Sequence, residues 1–234
     1  MGRGGNFIIA IMQPTFLPWI GYMAMIDRSE TFVFLDSVQF SKRSWQQRNQ
    51  VKTPHGARLI SVPVLSKGKR DQLIKDVEIV SEGQVIANLC NIIKANYVRA
   101  PCFSLYQEEL FHVMNSSLKL SQLNINLIKF FAKELDINTN FVASHEIDSG
   151  AHKADLLVTI CKALGAKQYL SAPGSRKYIE ESQAFATAGI EVVFHEYNHP
   201  QYRQLWNGFV PYMSVIDVLF NEGERAKEIM RSGL

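Results

Sequence analysis

The sequence predicts an α/β fold built on a doubly wound, mostly parallel sheet of about five strands, and three observations predict it. Short apolar runs without charge recur along the chain, helical patterns alternate with them, and polar residues stand at the ends of the runs. The first run, Phe7-Ile8-Ile9-Ala10-Ile11-Met12, is continuous rather than alternating, as expected of a strand buried on both faces. Gln13 to Pro18 forms a loop, Trp19 to Asp27 has helical character, and Thr31-Phe32-Val33-Phe34-Leu35-Asp36 is a second buried strand ending in a carboxylate. Strand, helix and strand together have the size of one βαβ unit.

Phe7 to Ile26 carries no charge, which a hydropathy scan flags as a membrane span. Gln13, Pro14, Thr15 and Pro18 interrupt it, so strand, loop and helix account for it and no membrane insertion is expected.

Beyond Asp36 the texture turns polar and basic, through Lys42-Arg43-Ser44-Trp45-Gln46-Gln47-Arg48-Asn49 to a turn signal at Pro54-His55-Gly56. Leu59 to Val64 reads as a strand that Pro63 confines to an edge. An antiparallel β excursion is therefore expected over 37–80. A helical insertion follows over 81–137, where Ile86, Leu89, Ile93 and Tyr97, and then Leu120, Leu123, Leu127 and Phe131, recur at helical spacing on either side of a break at Pro101. Alternation resumes with a strand at Thr139–Ala143, a helix from Lys153 to Leu164 closed by Gly165, and a strand at Gln168–Ser171. A helix from about Glu180 to Ala188 stopped by Gly189 and a last strand at Glu191–His195 complete the reading of one α/β domain over 1–234.

Composition bounds the function. With 234 residues, 47% hydrophobic and 20% charged, the chain lies in the globular range. Its 25 basic against 22 acidic residues give +3, too mild a balance for a dedicated nucleic-acid binder but compatible with an anionic ligand. Cys90, Cys102 and Cys161 form no C-x-x-C pair, and read as buried thiols of a reducing cytoplasm.

In open α/β sheets ligands bind beyond the carboxyl ends of the strands, which selects the candidate site. The first strand is followed by Gln13, Thr15 and Trp19-Ile20-Gly21-Tyr22, and the second by Asp36 and Gln39. The loop from Gln13 to Gly21 either presents backbone N–H groups to an anion or is a rigid turn that holds Trp19 in the core. Arg43 and Arg48 around Trp45 either bind an acidic ligand or form a solvated hairpin. Ser171-Ala172-Pro173-Gly174-Ser175-Arg176 combines hydroxyls, a glycine-containing turn and a guanidinium fork suited to phosphate or carboxylate, the alternative being that Ser175 simply caps a helix.

His195 ends a strand, and is the preferred general base, with Glu196, Tyr197 or Asp36 to orient it; His199 is the next candidate. Their four-residue spacing is not read as a metal site, because His195 ends a strand and Pro200 follows His199. The residues specify no cofactor.

Three stretches, Gln13 to Tyr22, Asp36 to Trp45 with Arg48-Asn49, and Tyr169 to Arg176, together resemble the WbqC-like family. The likeness continues through His199-Pro200-Gln201-Tyr202 and Leu205-Trp206 to Ser214-Val215-Ile216-Asp217, nearly the whole chain. It implies a place in bacterial surface-polysaccharide and O-antigen biosynthesis. Joined to polar strand ends and a mild positive charge, it leads to the expectation of an acyl or aminoacyl transfer to a nucleotide-linked amino sugar. Nucleotidyl transfer and non-catalytic sugar-nucleotide binding are the alternatives. More remotely, the chain is similar to nucleotidylyltransferases that carry H-x-G-H after the first strand and a serine-rich, arginine-containing motif after a late one. Here Trp19 and Tyr22 replace both histidines.

Overall fold

The structure is a computed structural model that describes residues 7–147 and 150–234. It falls into two compact units. The first takes the chain up to Gln13, Met25–Leu35 and Asn138–Tyr197; the second takes Pro14–Ala24, Asp36–Ile137 and Asn198–Leu234.

The first unit holds the parallel sheet. Its strands are β1 (Ile8–Met12), β2 (Thr31–Phe34), β5 (Asn140–Ala143), β6 (Gln168–Ser171) and β7 (Glu191–Phe194), in the spatial order β5-β2-β1-β6-β7, with every neighbouring pair parallel. The apolar runs sit where continuous burial requires them: Ile9, Ala10 and Ile11 of central β1 and all of β2 are buried. On one face Phe32 and Phe34 meet Phe141 of β5, with ring centroids 6.3 and 5.4 Å apart. From β1 the order runs outward to β2 and β5 on one side and to β6 and β7 on the other. Right-handed crossovers running in opposite directions place their helices on opposite faces, so the sheet is doubly wound, as expected.

Helix α5 (Lys153–Ala163) links β5 to β6 and ends at Gly165, whose φ of 70° is the left-handed conformation a helix stop favours. The single helix expected before β7 is two short ones, α6 (Arg176–Ser182) and α7 (Ala184–Ala188). The chain breaks between them at Gln183, whose φ of 52° does not continue a right-handed helix. Tyr169 of β6 stacks on Phe185 of α7 at 5.0 Å. The sequence predicts β2 to Asp36 and β7 to His195; β2 stops at Phe34 and β7 at Phe194, and the polar residues stand outside the ladder.

The second unit contains the excursion and the helices. Strands β3 (Arg48–Thr53) and β4 (Gly56–Ser61) pair antiparallel around Pro54-His55, so the second strand starts earlier than Leu59, and Pro63 lies beyond it. Three helices follow, α2 (Val85–Tyr97), α3 (Phe103–Met114) and α4 (Leu120–Glu134), with the apolar faces of α2 and α4 at the predicted spacing. Two C-terminal helices, α8 (Val215–Glu222) and α9 (Ala226–Arg231), were not anticipated; Ser214 caps α8 by accepting from the Ile216 N–H. The uncharged run from Phe7 to Ile26 is β1, a loop and most of α1 (Ile20–Asp27), a helix that starts in the second unit and ends in the first. No helix among the described residues is long and apolar enough to cross a membrane. Cys90 and Cys161 are buried, burial pushing their thiols up to about 11 and about 12, whereas Cys102, expected buried, is partly exposed.

The second unit is organised around Asp217 of α8, whose residue surface is 0% exposed. Its carboxylate accepts from Tyr97 Oη at 2.8 Å, Tyr202 Oη at 2.9 Å and Gln204 Nε2 at 2.7 Å. Burial raises its pKa, and the three donors with nearby Lys52 pull it back. Lys52 of β3 is 1% exposed and donates through Nζ to the carbonyls of Trp206 and Gly208, while its own backbone N–H donates to Tyr97 Oη at 2.8 Å. Helix α2, strand β3, the 202–210 loop and helix α8 therefore share one buried polar cluster. Removing one member of such a cluster strands the others without partners. Asp217→Ala is expected to cost about 3–5 kcal/mol, measured as a lower urea midpoint at unchanged m-value. A variant that unfolds like the parent would remove the cluster from the support of this unit.

Candidate site at the carboxyl edge of the sheet

Five sequence-selected residues fall in the first unit: Gln13 after β1, Ser171, Ser175 and Arg176 at the end of β6 and just beyond, and His195 after β7. Parallel pairing brings the last of these together, since Ser171 lies opposite Phe194 in the β6–β7 register and the His195 N–H donates to the Ser171 carbonyl at 2.8 Å. Ser171 is 0% exposed, and its hydroxyl lies 2.6 Å from that of Ser175. Ser175 also donates to the Ala172 carbonyl at 2.7 Å and makes no side-chain cap to α6, so the capping alternative does not hold. The turn between the two serines folds their hydroxyls onto each other.

Arg176 is held flat. Its guanidinium carbon sits 3.9 Å from the centre of the Phe194 ring, and Nη2 pairs with Glu196 at 3.2 Å. Glu196, one of the expected orienters of His195, is thus engaged by Arg176. His195 is 5% exposed, with Tyr197 stacked on it at 5.7 Å and Arg28 Nη1 3.2 Å from Nδ1. Burial raises the Tyr197 phenol above its ordinary range, so the ring meets a neutral hydroxyl at physiological pH. Arg28 is the residue that sequence reasoning missed here. It lies in an ordinary polar turn, Asp27-Arg28-Ser29-Glu30, just past α1, and nothing in that pattern marks it.

The remaining candidates, Thr15, Tyr22, Asp36, Gln39, Arg43, Arg48 and His199, belong to the second unit. Tyr22 is buried, its phenol raised by burial and facing Thr15. Asp36 is buried and accepts from Ser121 Oγ at 3.4 Å. Gln39 donates to the Arg70 carbonyl at 2.9 Å, and the backbone N–H of exposed Arg43 donates to Gln47 Oε1 at 3.1 Å. Arg48 lies on β3, its buried Nε without a hydrogen-bond partner among the described residues. The loop after Gln13 is pinned through its carbonyls: Asn124 donates to Pro14 at 3.1 Å, and Asn49 donates to Phe16 and Leu17 at 3.1 and 2.7 Å. Trp19 covers Gly21 so closely that a Cβ there would lie 2.1 Å from the indole. This explains the glycine and favours the rigid-turn alternative for the loop, though Trp19 is only half-buried.

His199 has both ring nitrogens committed to backbone. Nδ1 donates to the Pro200 carbonyl at 2.9 Å, Nε2 accepts from the Tyr212 N–H at 3.1 Å, and Trp19 stacks on the ring at 6.0 Å. Both ring nitrogens of this second catalytic candidate thus have backbone partners. Among the described residues no group of three or more His, Cys, Asp or Glu is arranged to hold a metal ion.

The fold is that of a doubly wound α/β protein, with Ser171, Ser175, Arg176 and His195 gathered at the carboxyl ends of β6 and β7. The chain belongs to the WbqC-like protein family, whose profile matches residues 13–229. It is similar to Uncharacterized protein Rv1507c of Mycobacterium tuberculosis (strain ATCC 25618 / H37Rv), 32% identical over 226 residues that cover 95% of this chain and 97% of that one. No solved structure matches it significantly.

His199 gives the second unit a pH dependence. Burial lowers its pKa below the ordinary 6.5. The unfolded chain therefore binds more protons just below that pH, and stability falls as pH drops through 6.5, levelling off beneath the folded pKa. The loss in melting temperature from pH 7.5 to 5.5 is expected to be smaller in His199→Gln than in the parent. Equal losses would refute the assignment.

Proposed function

We propose that this chain is a group transferase of surface-polysaccharide assembly that moves an acyl or aminoacyl group onto the amine of a nucleotide-linked amino sugar. The observation that carries the reading is the convergence of Ser171, Ser175, Arg176 and His195 at neighbouring strand ends: two hydroxyls 2.6 Å apart, a guanidinium immobilised on an aromatic face and a buried imidazole. Hydroxyls and a fixed guanidinium suit the oxygens of a diphosphate. The imidazole serves the reacting centre. In the reaction the amine nitrogen attacks the activated carbonyl carbon, the N–C bond forms as the carbonyl–donor bond breaks, and the amine proton balances on the departing thiol or alcohol. Family membership supports the pathway, and the mild positive charge of the chain suits the substrate.

The test is to incubate the full chain with nucleoside-diphosphate amino sugars and either an acyl thioester or an aminoacyl donor, and to weigh the products. A sugar nucleotide heavier by the acyl group is expected. Arg176→Met should raise KM on the order of ten- to a hundredfold, the equivalent of about 1.5–3 kcal/mol for a charged hydrogen bond. His195→Ala should lower kcat by about 10²–10⁴-fold. Pyrophosphate release from a nucleoside triphosphate and a sugar phosphate would replace the reading with nucleotidyl transfer. Tight binding of the sugar nucleotide without turnover would replace it with a binding module.

A further inference from the structure

We infer that the turn 41–47 and the neighbouring loop 66–70 of the second unit form a face that binds the single-stranded end of an RNA, and that the transferred group arrives on it as an aminoacyl-RNA. The donor's identity rests on the transferase reading; the RNA face rests on charge and geometry alone. The +3 of the whole chain averages two unlike parts. Residues 37–80 hold nine Lys and Arg against three Asp and Glu, a balance of +6, so the rest of the chain stands at −3. Lys52 is spent in the buried cluster, but Lys42, Arg43, Lys67, Lys69 and Arg70 are all exposed. Of the three acids, Glu78 is already paired, with Lys119 at 3.1 Å and Lys69 at 3.9 Å, which leaves Asp71 and Asp76 to offset the rest. Arg43, Lys67 and Arg70 form no ion pair among the described residues.

Hydrogen bonds bring these cations together. Lys42 Nζ donates to the Ser66 carbonyl at 2.7 Å, Gln39 Nε2 to the Arg70 carbonyl at 2.9 Å, and the Phe40 N–H to the Gln72 carbonyl at 2.8 Å, so turn and loop lie side by side. Within the turn Ser44 Oγ donates to the Ser41 carbonyl at 2.7 Å and the Arg43 N–H to Gln47 Oε1 at 3.1 Å, which hold Arg43 at a left-handed φ of 59°. Two residues on, Trp45 stands 54% exposed. Cations for the phosphates and an open aromatic face for a base are the pair of features that hold single-stranded nucleic acid. An acidic protein would satisfy the charges and leave the indole without a flat partner. In the reaction the sugar amine attacks the ester carbonyl carbon of the aminoacyl-RNA. The N–C bond forms, the ester C–O bond breaks, and the terminal ribose hydroxyl leaves with the amine proton.

The probe is deacylated bulk transfer RNA, titrated into the full chain while tryptophan fluorescence and RNA mobility are followed at several salt concentrations. Binding with quenched fluorescence is expected, and Trp45→Phe should remove the quench. Lys67→Gln with Arg70→Gln should weaken binding about tenfold and lower the salt slope by about 1.4, the amount for two single-strand phosphate contacts. Trp45→Ala should weaken it about ten- to a hundredfold. Lys162→Gln with Lys167→Gln, the same charge taken from exposed positions of the first unit, should leave binding unchanged. All these side chains are exposed, so each variant should melt with the parent. Absence of binding, an equal loss in the control pair, or displacement of the RNA by polyglutamate at equal charge overturns the inference, the last in favour of an acidic protein partner. Transfer is then assayed from aminoacyl-tRNA to a nucleoside-diphosphate amino sugar. If RNA binds as expected while no aminoacyl sugar forms from any donor, the transferase reading fails, the donor assignment falls with it and the RNA face stands. If the sugar is acylated from a thioester and no RNA binds, the RNA face fails and the transferase reading stands.

Discussion

Everything in the first unit depends on β1 being paired in parallel on both sides, to β2 and to β6. A parallel neighbour cannot be reached by a tight turn, so each connection must travel from a carboxyl end back to an amino end. Because the order reverses at β1, the connections on its two sides are carried to opposite faces, and the carboxyl edge is where sheets of this kind take ligands. That placement is a consequence of chain geometry before any side chain is considered. Ser171 and His195 lie on this edge because β6 and β7 are in register, and their backbone bond of 2.8 Å continues the ladder one step past the last strand residue.

The second unit solves a different problem. Its helices and hairpin have no continuous sheet to share, and a buried carboxylate does the joining. Asp217 gathers three donors from two segments of the chain, and Tyr97 passes the linkage on by accepting from the Lys52 backbone. Burying a lysine and an aspartate opposes folding, which is why the pKa values of both are displaced by burial in the direction of the neutral forms. The arrangement holds because nearly every polar atom involved has a partner: the Lys52 ammonium closes on the Trp206 and Gly208 carbonyls, in a loop where Trp206 and Gly208 take φ of 67° and 75°. Left-handed residues in a loop need such external anchoring, since no regular ladder supplies it.

How much of this was legible in the sequence depended on whether the signal was periodic. Short apolar runs disclosed the strands of the sheet, and three- and four-residue spacing disclosed α2 and α4, because burial on a strand or helix repeats with the geometry. Lys52 was hidden by the same rule. In β3 it follows Arg48 and Gln50 at two-residue spacing, which reads as a polar outward face, yet Lys52 is buried while those two are partly exposed. The division of α6 from α7 was equally silent, since Gln183 has nothing in its chemistry to announce a left-handed backbone. Ser171, Ser175 and His195 were legible because the rule of strand ends is positional. Arg28 was not, because its contact with a residue 167 positions away is a tertiary fact.

His195 and His199 show why residue type and spacing stop short of chemistry. Four residues apart and flanked alike by tyrosines, they looked interchangeable as acid–base candidates, with order of preference set only by the strand before His195. The structure gives them opposite proton positions. His199 donates from Nδ1 to a carbonyl and receives a backbone N–H at Nε2, so both nitrogens are spent on holding the 199–212 loop. His195 accepts at Nδ1 from a group that can only donate, which sends its proton to Nε2. An imidazole has one proton to place when neutral, and the partner of one nitrogen decides what the other can do. A carbonyl partner turns the ring toward accepting and a guanidinium turns it toward donating. Where the proton of each ring stands is therefore set by its tertiary partner and not by its place in the sequence.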